Sequence, residues 1–213
     1  MISMEQVAEK LKTEEIIILS DNVNSVEMHG HNFIELVYIK KGSVLLTWNN
    51  QQTLLHEKSF FIVDFGIMHA SQPIDKEPFE LINCMFLPSI IDASIDSNMP
   101  LKTIINNYLL KFTDSMLTGD PTRMCFYDRS GEIDSMMSMM LREYNEKKVA
   151  YLSLIKNYLS NILLKMMRSI ITTGTYESSG ISTMIKKYVA QNYRKNLRLS
   201  DIAAECHYSV PYL

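Results

Sequence analysis

The stretch His29-Gly30-His31-Asn32-Phe33-Ile34-Glu35-Leu36-Val37-Tyr38-Ile39-Lys40-Lys41-Gly42 decides the fold. From Phe33 to Ile39 it is β-branched and aromatic, and it closes on a lysine pair and a glycine, so it reads as a strand running into a turn. Positions 29, 31, 33 and 35 share parity, so on an unbroken strand His29, His31 and Glu35 point to one face. Comparable runs lie on either side: Ile16 to Leu19, Val44 to Trp48, Gln52 to Leu55, Ser59 to Val63 and Glu80 to Phe86. Gly42, Asn49-Asn50, Gly66 and the segment Pro73 to Pro78 punctuate them as turns. Many short strands without intervening helices suggest an antiparallel barrel or sandwich.

Inside a small barrel the shared face looks inward, and a neighbouring strand can bring His69 to meet His29, His31 and Glu35. Two or three imidazoles with one carboxylate suit Zn, Fe, Ni or Mn. The same groups can instead hydrogen-bond a small polar ligand, or pair with one another as structure. The candidate pocket faces also carry Phe33, Val37 and Trp48, a mixture that fits a sugar, an amino acid, a fatty acid or no effector at all.

After Pro88 the apolar period changes to that of helices. Leu101, Ile104, Ile105, Tyr108, Leu109 and Phe112 form one stripe, and Ile133, Met136, Met137, Met140, Leu141 and Tyr144 a second. Leu152, Ile155, Leu159, Ile162, Met166 and Ile170 form a third, with three- and four-residue steps. That stripe is expected to have apolar surface to spare for a second copy of the chain, through Leu152, Ile155, Leu159, Ile162 and Met166, with a purely intramolecular hairpin core as the alternative. The charged run Glu143 to Lys148 reads as a helix-hairpin corner, and Thr172 to Gly180 as a linker. The expected division is a barrel over 1–90, a helical dimerisation region over 91–172, a linker over 173–180 and a separate helical segment over 181–213.

In that last segment, Ser200 to Leu213 reads as a short helix, a tight turn and the opening of a second helix, capped by Ser200 and Ser209, with Pro211 tolerated in a first turn. A helix pair of this kind presents its second helix to the DNA major groove, which makes Ser209, Pro211 and Tyr212 the candidate DNA-facing residues. Barely one turn of that helix is included, so specific operator binding is expected of a longer chain. From Ile181 onward five basic residues face two acidic ones, although the 213-residue chain carries −3 overall. An acidic body with a basic end suits a DNA-facing module joined to something else.

Cys84, Cys125 and Cys206 share no close spacing, which argues against a zinc finger or a disulfide framework. The first residues lack a signal-peptide pattern, and no apolar run is long enough to span a bilayer, so a cytoplasmic protein with no membrane partner is expected. The fifteen methionines cluster in helical stretches as core filler.

His29-Gly30-His31, Glu35 and Gly42 resemble, in type and spacing, the first motif of the cupin superfamily; Gly66 and His69 match its second motif more weakly. Lys58, Asp64 and Pro73 depart from it, standing where glycine, proline and asparagine are usual. The whole layout of barrel, two long helices, linker, Tyr188 to Tyr193 and Leu199 to Leu213 is similar to the AraC family of bacterial transcription regulators. That resemblance implies an α+β chain, with an antiparallel cupin-like barrel, a helical dimerisation element and the truncated start of an all-α helix-turn-helix domain. It also implies a small-molecule effector, a homodimer and DNA as partners. No catalysis and no resident cofactor are expected, with a metal at the histidine cluster as the alternative. A metal-dependent cupin enzyme, an oxygenase or isomerase, is the competing reading, and an interaction scaffold with an inert barrel a third.

Overall fold

The computed structural model describes residues 4–48, 51–74, 77–96, 99–104, 125–175, 188–189, 192 and 197–205. In chain order the elements are α1 (Met4–Glu14), β1 (Ile16–Val23), β2 (Val26–His29), β3 (Ile34–Lys41), β4 (Ser43–Trp48), β5 (Gln51–His56), β6 (Ser59–Val63), β7 (His69–Pro73) and β8 (Phe79–Phe86). There follow a single 3-10 turn at Pro88–Ile90, α2 (Leu101–Ile104), β9 (Cys125–Tyr127), α3 (Glu132–Glu146), α4 (Tyr151–Thr175) and α5 (Leu199–Glu205). The fold is α+β, as the sequence suggests.

The strands form two antiparallel sheets, ordered β1-β8-β3-β6-β9 and β2-β7-β4-β5. Their side chains explain why the sheets differ. In β3, Ile34, Leu36 and Tyr38 join one core cluster and Val37 and Ile39 another, so the strand is buried on both faces over six consecutive residues. One face of the five-stranded sheet meets helices: Ile155, Leu159, Met137 and Met140 share a cluster with Leu36, Tyr38 and Phe60. The other face meets the four-stranded sheet, where Val37, Phe61 and Leu81 pack with Val44, Leu46 and Trp48. The four-stranded sheet has one packed face only, and β4 alternates buried and half-buried residues accordingly.

Several expectations change. Met4–Glu14 is a helix, and Val7 and Leu11 insert into the helix-side core. The segment after residue 90 is not helical throughout, because Cys125–Tyr127 returns as a strand beside β6. The first helical stripe is described only over Leu101–Ile104, and the rest of it, Ile105 to Phe112, lies outside the described residues. Ser209, Pro211 and Tyr212 also lie outside them, while α5 supplies the helix expected before the turn.

The third stripe needs a correction. Ile155, Leu159 and Ile162 are 0 % exposed and Met166 3 %, all within a single chain. They pack among α3 residues and the five-stranded sheet, so the surplus apolar face inferred from periodicity is used up internally. Of the five expected dimer contacts only Leu152 is exposed. Among the described residues no helix is long and apolar enough to cross a membrane.

Candidate functional site

β3 and the four-stranded sheet meet at one end of the sandwich, and the polar cluster is built there. Glu35 lies on β3 with the same parity as Val37, so its carboxylate points between the sheets. Asn83 of β8 pairs in register with Val37, which places it diagonally beside Glu35 on the inward face. His29 ends β2 and lies directly opposite His69 of β7. His31 lies between β2 and β3, in the passage from one sheet to the other. Residues 29 to 35 are therefore not one strand, and their convergence comes from two sheets and the connection joining them.

His31 Nε2 lies 3.2 Å and His69 Nε2 3.0 Å from the same oxygen, Glu35 Oε2. Asn83 Nδ2 donates to the other oxygen, Glu35 Oε1. The side chains of His31, His69 and Glu35 are 2 %, 4 % and 6 % exposed. The His29 ring stands 4.2 Å from the His69 ring, and its buried Nε2 has no hydrogen-bond partner. One donor atom from each of His29, His31, Glu35 and His69 falls within 4.8 Å of the others.

Backbone carbonyls fix the tautomers. Nδ1 of His29 meets Glu27 O at 2.8 Å, that of His31 meets Phe33 O at 2.9 Å, and that of His69 meets Ile67 O at 3.0 Å. A carbonyl can only accept, so each Nδ1 carries its hydrogen; any of these rings that is neutral then bears its lone pair on Nε2, the atom that His31 and His69 turn toward Glu35. A lone pair facing a carboxylate oxygen at hydrogen-bond distance requires a positive centre, either a proton or a cation.

The electrostatics agree. Burial opposes ionisation of Glu35, yet the hydrogen bonds from His31 and His69 outweigh it and hold the carboxyl well below the usual range. For His69, burial disfavours the cation, but the bond to Glu35 and its charge raise the pKa. The His29 pKa is lowered, chiefly by desolvation, which favours its neutral form.

Three imidazoles and one carboxylate are the donor set of a first-row divalent ion. Bonds of about 2.0–2.1 Å at octahedral or tetrahedral angles require donor–donor edges of about 2.8–3.4 Å, and the two Glu35 contacts fall in that range. The unpartnered His29 Nε2 supplies a further lone pair, so the residues present fit such an ion.

A cavity of about 70 Å³ adjoins the cluster. His29, Glu35, His69, Ser71, Asn83 and Asp21 give it polar ground, and Val37, Phe61, Leu81 and Met85 give it apolar walls. Val7 of α1 reaches the same cavity. Of the aromatic candidates, Phe33 stacks on His31 with ring centres 4.0 Å apart, supporting the imidazole from the core side. Trp48, in register with His69, is buried between the sheets and is not among the cavity's lining residues. Asn83, Ser71, Asp21 and Val7 escape the sequence reading. Asn83 alone left a trace, as a polar residue between Leu81 and Met85 in inward parity.

A profile of the AraC-like ligand binding domain matches residues 13–154. No curated protein matches the chain. Among solved structures, an apo variant of ToxT from Vibrio cholerae superposes with a TM-score of 0.53 at 12 % identity, covering 94 % of this chain and 73 % of that one. Wild-type ToxT from the same organism, bound to an unsaturated fatty acid, gives 0.52 at 13 % identity, with 92 % and 70 % covered. At that identity the likeness to ToxT concerns the fold. The profile match takes in both sheets, the histidine cluster and all of α3, and on it the chain belongs to the family of AraC-like ligand binding domains.

Proposed function

We propose that the chain is the sensing part of an AraC-type transcription regulator, not an enzyme. An effector enters between the sheets at the histidine cluster, the helices on the far side of the five-stranded sheet carry dimerisation, and the basic C-terminal end belongs to a DNA-reading module. One observation carries the reading: His29, His31, Glu35 and His69 meet at the end of a cavity within the residues matched as a ligand-binding domain.

Cavity size narrows the effector. ToxT takes an unsaturated fatty acid, but a space of about 70 Å³ is below the roughly 150 Å³ that holds a benzene. The effector here is accordingly small, meeting apolar walls and the polar cluster at His29, Glu35, His69 and Asn83. Dimerisation cannot run through Ile155, Leu159, Ile162 and Met166, which are internal; Leu152 remains exposed, and Met139 and Leu154 on the same hairpin extend the apolar surface beside it.

The test replaces His31 and Glu35 together by alanine in the regulator in its host and follows transcription of its target genes. Loss of response with cooperative unfolding retained supports the cavity as the sensor. An unchanged response removes it from the mechanism.

A further inference from the structure

We propose that the effector of this cavity is a small primary ammonium ion, R–NH₃⁺ with a short apolar R, held by His29 Nε2, Asn83 Oδ1 and the Asp21 carboxylate. The proposal rests on the regulator reading above and names the chemical class of its effector.

The polar atoms left over in the cavity are acceptors. His29 Nε2 and Asn83 Oδ1 are buried and have no hydrogen-bond partner among the described residues. Since Glu27 O engages His29 Nδ1, the neutral ring offers only a lone pair at Nε2. Asn83 Nδ2 already donates to Glu35 Oε1, which identifies Oδ1 as the acceptor end of the amide. Asp21 accepts from Asn22 N–H at 2.8 Å, and none of the ion pairs among the described residues includes it. The donors, by contrast, are largely spent. Both nitrogens of His69, for instance, are engaged, one by Ile67 O and the other by Glu35.

Strand register brings these acceptors together. Asp21 of β1 pairs with Leu81 of β8, and Leu19 with Asn83, so Asp21 and Asn83 are diagonal neighbours. Both line the cavity, and His29 lines it from the facing sheet.

An ammonium group carries three N–H donors, no acceptor and one positive charge. It can donate to all three acceptors, and its charge meets that of Asp21. The Glu35 carboxylate is already held by His31, His69 and Asn83. An alcohol brings one donor and a carboxylate none, so each leaves buried acceptors unpaired. A space of about 70 Å³ corresponds to roughly two waters at about 30 Å³ each, which limits R to on the order of one to three carbons. Val37, Phe61, Leu81 and Met85 supply apolar walls for it.

The position also supplies a way to report occupancy. An ion bonded to His29 of β2 and to Asp21 and Asn83 of β1 and β8 bridges the two sheets. β1 packs on both α1 and α3, so the bridge pulls on a strand that supports the helices.

The experiment uses the 213-residue chain, treated with a chelator so that no adventitious cation occupies His29. It is titrated at pH 7 with methylamine, ethylamine or n-propylamine hydrochloride, with ethanol, sodium acetate and sodium chloride as controls. The expected results are one ammonium ion per chain by calorimetry and a melting temperature that rises with its concentration. Asp21→Asn keeps the shape of the side chain and should bind at least about tenfold more weakly. His29→Leu leaves both Glu35 contacts in place and should weaken binding likewise. Equal binding of ethanol or acetate, no saturable binding of any of the three amines, or unchanged affinity in either variant overturns the proposal.

In the host, target transcription should follow the added amine and lose that response in Asp21→Asn. Stoichiometric binding with transcription indifferent to the amine overturns the ammonium ion as signal. No binding, with response still lost in the His31→Ala, Glu35→Ala double variant, overturns the ammonium ion while leaving the cavity as sensor. Indifference of transcription to that double variant overturns the regulator reading itself.

Discussion

Lys58 sits in a left-handed backbone conformation, φ +69°, at the turn between β5 and β6. Its N–H donates to Ile39 O and its carbonyl accepts from Asp128 N–H, so the conformation is held by the sheet on either side. A side chain there costs roughly 1–2 kcal/mol, and glycine's extra freedom in the unfolded chain takes back about 0.5–1 kcal/mol. Lys58→Gly should therefore stabilise by about 0.5 kcal/mol or somewhat more, read as a higher urea midpoint with unchanged slope. Gly42 is the converse case. Its φ is +90°, and an added Cβ would lie 3.2 Å from Phe79 Cβ and 3.4 Å from Phe79 Cα, so Gly42→Ala strains the backbone and crowds the start of β8. It should lower stability by about 1–3 kcal/mol in the same assay. Asn83→Ala leaves Glu35 Oε1 buried without a donor and should cost about 1–3 kcal/mol.

The α3–α4 hairpin shows how far periodicity reaches and where it stops. Heptad-like spacing finds the buried face of α4 correctly, and Ile155, Leu159 and Ile162 are fully buried. It does not say which partner buries them, because an intramolecular sheet and a second copy demand the same pattern. Leu159→Ala should cost about 2–5 kcal/mol through the cavity it leaves, with the oligomeric state unchanged in light scattering. Charge placed at Met139 and Leu154, each 39 % exposed, tests assembly on this hairpin. The double glutamate variant should give monomers that melt close to the parent; dimers of parental affinity would exclude this surface. At the start of α3, Asp128 stands in for a helix cap. Buried, it accepts from Asp134 N–H at 3.0 Å and from the Tyr38 hydroxyl at 3.4 Å, which ties the helix to β3.

Across the molecule, α1 links the cavity to the helical hairpin. Val7 lines the cavity, while at the other end of α1 the Tyr144 hydroxyl donates to Glu14 Oε2 at 2.8 Å. Lys10 Nζ donates to that hydroxyl at 3.3 Å, and Lys147 Nζ lies 3.7 Å from Glu14. Against its own desolvation, Glu14 is held below the usual carboxylate pKa by the Tyr144 bond and the charges of Lys10 and Lys147. A depressed folded-state pKa stabilises above the unfolded value, and that stability is lost as pH falls through the folded one. Tyr144→Phe should cost about 1 kcal/mol at neutral pH. It should also flatten the acid limb of the stability–pH curve and speed hydrogen exchange in α1 amides. Unchanged exchange there would mean that α1 is held by Val7 and Leu11 alone.

The sequence determined the fold class, most strands, the helical periods and the four polar residues of the site, because alternation, turn chemistry and ionisable residue types are local properties. His29, His31, Glu35 and His69 were legible by residue type and spacing, although the single strand expected to carry the first three does not exist. Tertiary structure decided what depends on neighbours. β2 and β7 are short and polar, and they are strands only because they pair with each other and with β4. Cys125–Tyr127 is a strand because β6 offers it an edge. Asn83 becomes part of the site only when β8 is laid beside β3. The partner of the α4 stripe was likewise open in the sequence, since a periodic apolar face specifies that it must be buried and carries no information about what buries it.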